Sequence, residues 1–142
     1  MEYHYPSSDS ARFFFLSVPM HKMMIPLTRY TQFSGRASRS EFWWFQLFVL
    51  ILFLPVMVLG YLGALNGSNT LSLLSGGLNI VLSLGLFLPM ISVAVRRLHD
   101  TDRSGWWYLL AFIPIIGLVM LVFMLLPGTP GDNRFGAPVP HM

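Results

Sequence analysis

Between Phe42 and Val95 the chain carries no charged side chain, and from Gly105 to Gly131 it again carries none. The two blocks are separated by Arg96-Arg97-Leu98-His99-Asp100-Thr101-Asp102-Arg103, five formal charges and a histidine in eight positions. Placing an ion at the centre of a membrane helix costs roughly 2.5–3.5 kcal/mol, so such an island reads as the polar connection between membrane-crossing segments. A soluble reading fails on the same ground. Charged residues make up 11% of the chain, against about 25% in ordinary globular domains, which is too few to cover a water-facing surface.

The expected class is an all-α membrane protein, a three-span helical bundle. The spans fall at about 42–64, 78–95 and 106–126, since each needs about 20 apolar residues. Leu65–Gly77, with Asn66-Gly67-Ser68-Asn69 and Gly76-Gly77, reads as the connection between the first two. Each span holds a proline (Pro55, Pro89, Pro114) that frees a carbonyl four residues earlier and permits a kink, and Pro114 with Gly117 leaves a re-entrant bend that returns the tail inside as the alternative to a full third span. Gly60-x-x-x-Ala64 and the Ser83/Gly85 pair offer small-residue approach. Upstream, Met20, Met23, Met24, Leu27 and Tyr30 follow helical spacing. That suggests a short interfacial helix with Lys22 and Arg29 on its wet side. Residues 1–19 read as an extension and 137–142 as a tail around a single polytopic domain, 20–136.

Ser38 and Glu41 have capping-box spacing at the start of the first span. Trp43, Trp44, Trp106 and Trp107 stand where interface anchors are expected. Counting cations, Lys22, Arg29, Arg36, Arg39, Arg96, Arg97 and Arg103 fall on one side of a three-span arrangement and Arg134 on the other. The positive-inside rule then places the N-terminus in the cytoplasm and the C-terminus in the periplasm.

Several chemistries are excluded or weakened. There is no cysteine, hence no disulfide or thiolate catalysis. His99, Asp100 and Asp102 lack a further ligand for a zinc site, so no metal, cofactor or catalytic group is assigned. The spans hold no Asp, Glu, His, Lys or Arg for a proton or ion relay, only the amides Gln46 and Asn79. The net charge of +3 comes from arginines flanking apolar segments, which suits the bilayer rather than nucleic acid. Within the island, Arg96–Asp100 and Asp100–Arg103 have helical pairing distances.

The reading that follows is a non-enzymatic structural or accessory module. Its polar cluster, Arg36, Arg39, Glu41, Arg96, Arg97, His99, Asp100 and Arg103, would bind anionic phospholipid headgroups, another membrane protein or a second copy. A small oligomeric transporter or channel subunit is the alternative. A lipid-modifying enzyme with His99 as base, oriented by Asp100, comes third.

The motifs Phe33-x-Gly35-Arg36-x-x-Arg39-x-Glu41-Phe42-Trp43, Arg96-Arg97-Leu98-His99-Asp100-x-x-Arg103-Ser104-Gly105-Trp106-Trp107, Pro114-x-x-Gly117 and Gly128-x-x-Gly131-x-Asn133-Arg134-Phe135-Gly136 occur in that order. In these the chain resembles the YhaH-type bacterial inner-membrane proteins, catalogued as domain of unknown function 805. The resemblance covers about Met20 to Gly136 and marks Gly131, Asn133, Arg134 and Gly136 as a tail motif. It implies a small multi-pass helical protein of the bacterial inner membrane and supplies no activity. Such proteins commonly begin near the position of Met20.

Overall fold

The computed structural model describes residues 20–139; the expected 1–19 extension lies outside the described residues. Residues 20–28 form a first helical segment, α1. Then come α2 (Arg39–Leu65), α3 (Asn69–Asp100), a 3₁₀ helix η1 (Gly105–Phe112) and α4 (Pro114–Leu125). No strand occurs among them.

At 1.5 Å per residue, the 27 residues of α2 and 32 of α3 make rods of about 40 and 48 Å, long enough to cross a hydrocarbon core of about 30 Å. They pack as an antiparallel hairpin whose turn is only three residues. Ser68 N donates to Gly63 O at 2.9 Å and Gly67 N to Ala64 O at 3.4 Å, the Schellman pattern, with Gly67 in the left-handed region at φ 60° where glycine has no Cβ penalty. Ser68 then caps α3 by accepting from Leu71 N. Leu65–Gly77 is therefore mostly helix rather than loop. In lipid the backbone has no water to bond, so even Gly76-Gly77 stays helical.

The helices approach closely through Gly60 and Gly63. A Cβ on Gly63 would stand 2.9 Å from Ser72 N, and one on Gly60 2.6 Å from Ser75 Oγ. The contact pair is thus Gly60/Gly63, not Gly60/Ala64. Ser83 and Gly85 are exposed, as is Asn79. Apolar side chains such as Leu73, Val81 and Leu84 are also exposed, a surface that lipid can cover and water cannot.

The third apolar block does not form one continuous helix. Its residues break into the 8-residue η1 and the 12-residue α4, and 12 residues rise only about 18 Å. Pro114 is the cause. It sits in the first turn of α4, where its missing N–H costs nothing, instead of kinking a continuous helix. η1 descends beside α3, and Gly105 lies so close that a Cβ would meet Val95 Cγ1 at 2.7 Å. α4 then returns to the level of Arg97, whose Nε donates to Met124 O at 3.3 Å. A core of Phe42, Phe45, Leu86, Val93, Ala94, Leu98, Met120 and Met124 joins α2, α3 and α4.

Because the third block turns back, the tail lies at the same end as the island. Thr129 N donates to Asp100 O at 2.8 Å, which corrects the expectation of a tail at the opposite end. All eight cations and four carboxylates of residues 20–139 gather at that end. α1 also differs from expectation. Pro26 is its buried residue and Met20 and Met24 face outward. Lys22, expected on the wet side, bonds Ser40 Oγ at 3.0 Å.

Candidate functional site: a buried arginine–carboxylate cluster

Two segments distant in sequence, Gly35–Glu41 and Arg96–Asp100, meet at the charged end. Ala37 N donates to Arg96 O at 3.0 Å, and two ion pairs join the segments. Arg96 Nη1 donates to Glu41 Oε1 at 2.7 Å, and Arg36 Nε to Asp100 Oδ1 at 2.9 Å. Arg97 Nη1 bonds the other oxygen of Asp100. The expected Arg96–Asp100 and Asp100–Arg103 pairs are absent, because Arg96 is turned to α2 and Arg103 stacks over Phe123 at 4.0 Å. The capping box is half made. Ser38 Oγ accepts from Glu41 N at 3.1 Å, while the Glu41 carboxylate serves Arg96.

Asp100 is the hub. Its side chain is fully buried between Arg36 and Arg97, one anion for two cations, and backbone carbonyls satisfy the surplus donors. Arg36 Nη1 donates to Gly131 O at 2.8 Å and Gly136 O at 3.2 Å, and its Nη2 to Thr129 O at 2.6 Å. Arg97 Nη2 bonds Leu126 O. Gly128 must be glycine here, since a Cβ would fall 2.1 Å from Asp100 Oδ2. Arg96 keeps Nε and Nη2 without a protein partner.

The tail motif closes over this cluster. Asn133 Nδ2 donates to His99 O at 2.8 Å and to Thr129 Oγ1 at 2.9 Å, and Asn133 and Gly136 exchange backbone bonds with Gly136 at φ 123°. Phe135 stacks parallel on the His99 ring with centroids 3.8 Å apart. Arg134 pairs with Asp102 at the surface, at 3.1 Å, a pair worth little energetically. Asp102 itself stands at φ 57°. There it ends α3 in a second Schellman turn, Arg103 N to Leu98 O and Asp102 N to His99 O.

His99 lies beyond the uncharged stretch that ends at Val95. Burial holds its imidazole below the usual pKa, partly opposed by the bond to Gly35. A carbonyl only accepts, so the neutral ring carries its proton on Nδ1 and donates to Gly35 O at 3.1 Å. Asp100 does not orient His99, since both its oxygens are engaged by arginines. This removes the acid–base pairing on which the enzymatic reading rested.

Accessibility divides the expected site residues. Arg36, Arg96, Arg97, Glu41 and Asp100 are buried and cannot reach a headgroup. Arg39 and Arg134 are exposed and Arg103 half-buried. Arg39 and Ser40 rim an open groove of about 530 Å³ lined further by Trp43, Trp44, Leu47 and Leu125. Trp106 is exposed, and Trp107 meets Phe123 edge-on at 5.6 Å. The groove and the carbonyl cage were missed in the sequence, for both depend on α4 and the tail returning to the island.

The family described as "Protein of unknown function (DUF805)" matches residues 30–137, a span that holds the cluster and its tail cover. The chain belongs to the DUF805 family. It is similar to "Inner membrane protein YhaH" of Escherichia coli K12, 45% identical over 114 residues covering 78% of this chain and 88% of the relative. Similarity to "Inner membrane protein YhaI" of the same organism is also 45%, over 115 residues covering 78% and 87%. An E. coli K12 "Uncharacterized protein YiiR" is 32% identical over 130 residues, covering 73% of this chain and 83% of that one. No solved structure matches. The chain is a membrane protein of a family without an assigned activity.

Proposed function

We propose that this DUF805 member is an accessory module of the inner membrane that gathers anionic phospholipid at its cytoplasmic end. In this reading α2 and α3 cross the bilayer, η1–α4 dips in and returns, α1 lies at the interface, and the tail stays in the cytoplasm with the island. The positive-inside rule supports that orientation, because every cation of residues 20–139 then lies on one side.

The observation that carries the lipid reading is the groove beside α2. Arg39 and Ser40 stand at its charged rim, and Trp43, Trp44 and Leu47 follow one and two turns deeper, with Leu125 opposite. A cation above indoles above leucines matches the order of phosphate, glycerol and acyl chain along a phospholipid. Arg39 gives one N–H to Leu125 O at 3.3 Å and holds the rest of its fork for a phosphate. The buried arginines contribute by fixing the frame and not by touching lipid.

Native mass spectrometry of the full chain extracted from mixed phosphatidylglycerol–phosphatidylethanolamine bilayers tests this. Arg39→Gln is expected to lower retained phosphatidylglycerol several-fold while leaving phosphatidylethanolamine unchanged. Equal retention of phosphatidylglycerol by both proteins would remove the basis of the proposal.

A further inference from the structure

Along α3 runs a seam whose members alternate four and three residues apart, the 3.5-residue period with which helices pack side by side. Toward the charged end the seam is Leu86, Met90, Val93 and Arg97. Leu86 and Val93 are buried, Met90 shares a pocket with Met120 and Met124 of α4, and Arg97 bonds Met124 O. Toward the hairpin end the seam is Ser72, Gly76, Asn79 and Ser83, all four exposed. The length of α4 makes the difference. Its 12 residues rise about 18 Å, as far as 12 residues of α3, so from Arg97 its cover reaches only to the level of Gly85.

Asn79 is the residue that points to an occupant. It stands about 15 Å along α3 from the helix start at Asn69, half the thickness of a hydrocarbon core of about 30 Å. Its Oδ1 accepts from Ser83 Oγ at 3.5 Å, and its two amide N–H bonds have no acceptor among the described residues. Facing water, such a group is solvated and calls for nothing. Facing lipid it has no water to bond, and leaving it unpaired is costly. The amide selects its partner by chemistry and by depth. It holds donor and acceptor together, so a second carboxamide satisfies both at once through two N–H···O bonds. A second copy of this chain, oriented alike by its cations, brings its own Asn79 to the same depth about a two-fold axis along the membrane normal.

We propose that the hairpin half of this seam is the contact between two copies of the chain, α3 against α3, with the Asn79 amides bonded to each other across the axis. Gly76 and Ser83, about one turn to either side, let the two backbones approach. A single amide on an otherwise uncharged seam also fixes the register of the pair. The proposal rests on α2 and α3 crossing the bilayer. It is independent of the Arg39 groove, which lies at the charged end of α2 and recognises by charge.

The experiment measures self-association of the full chain in phosphatidylglycerol–phosphatidylethanolamine vesicles. Energy transfer between dyes on Ala137→Cys is followed as the protein is diluted into lipid. The native seam is expected to give a dimer, and Asn79→Leu, which replaces an exposed side chain, to raise its dissociation constant about tenfold, the loss of two amide bonds in a membrane. Oxidative cross-linking then locates the contact. Ser83→Cys is expected to form a disulfide dimer. Val81→Cys, exposed at nearly the same depth but about 200° around the helix, is expected to stay monomeric. A monomer at every dilution would assign the seam to lipid or to a different protein and overturn the proposal. So would an unchanged dissociation constant in Asn79→Leu, or equal cross-linking at Val81→Cys. Labelling of Asn66→Cys from outside intact cells reads the crossing separately. A monomer that still shows this labelling counts against the seam and leaves the crossing standing.

Discussion

At the scale of single residues, the most informative feature is that Asp100 answers for two arginines. Removing its charge leaves Arg36 and Arg97 buried with one neutral acceptor between them, and stranding a buried charge costs roughly 3–5 kcal/mol. Asp100→Asn is therefore expected to destabilise the protein by about that much in a detergent unfolding titration. A loss below about 1 kcal/mol would mean that the surrounding carbonyls alone hold the arginines. His99 gives a second expectation. Its folded pKa is depressed, so the stability it contributes is fully present above the unfolded value of about 6.5 and falls as the pH drops below it toward the folded value. Unfolding measured from pH 8 to pH 5 should show this decline in the native protein and a flatter profile in His99→Asn. These partners were only partly legible in the chain. Local spacing suggested Arg96 with Asp100, but Asp100 pairs with Arg97 on its own helix and with Arg36, 64 residues away, Arg96 pairs with Glu41, and the surplus donors of Arg36 go to carbonyls of the tail. A carbonyl leaves no trace in side-chain spacing.

Among the elements, the long helices were legible because apolar length alone dictates them, and the third block was not. An all-apolar run offers no periodicity to mark where a helix stops, and a proline in mid-run is equally compatible with a kink and a fresh start. Pro89 behaves as a proline inside a membrane helix should. It leaves Gly85 O without its intrahelical donor, and the Tyr30 hydroxyl supplies one at 2.6 Å. The account predicts a thermodynamic coupling here. Tyr30→Phe should cost about 1 kcal/mol in the native background and close to nothing in Pro89→Ala, where residue 89 donates to Gly85 O itself. A double-mutant cycle on unfolding reads the coupling directly. Equal costs in both backgrounds would show that the hydroxyl matters for some other reason.

For the whole molecule, the fold places every charge of residues 20–139 at one end of a bare two-helix hairpin, with the tail folded back as a lid of backbone carbonyls. The sequence pointed to a membrane protein with a polar end but put the tail opposite, because three apolar blocks were counted as three crossings. What length could not reveal is that the third block turns back on itself, η1 running along α3 away from the island and α4 returning to the level of Arg97. The most direct measurement is sidedness. The chain has no cysteine, so single cysteines at Ser40, Asn66 and Ala137 can be probed in intact cells with a membrane-impermeant maleimide. The account predicts labelling from outside at Asn66 alone, with Ser40 and Ala137 reacting only after the membrane is opened. Labelling of Ala137 from the periplasm, with Ser40 protected, would contradict it.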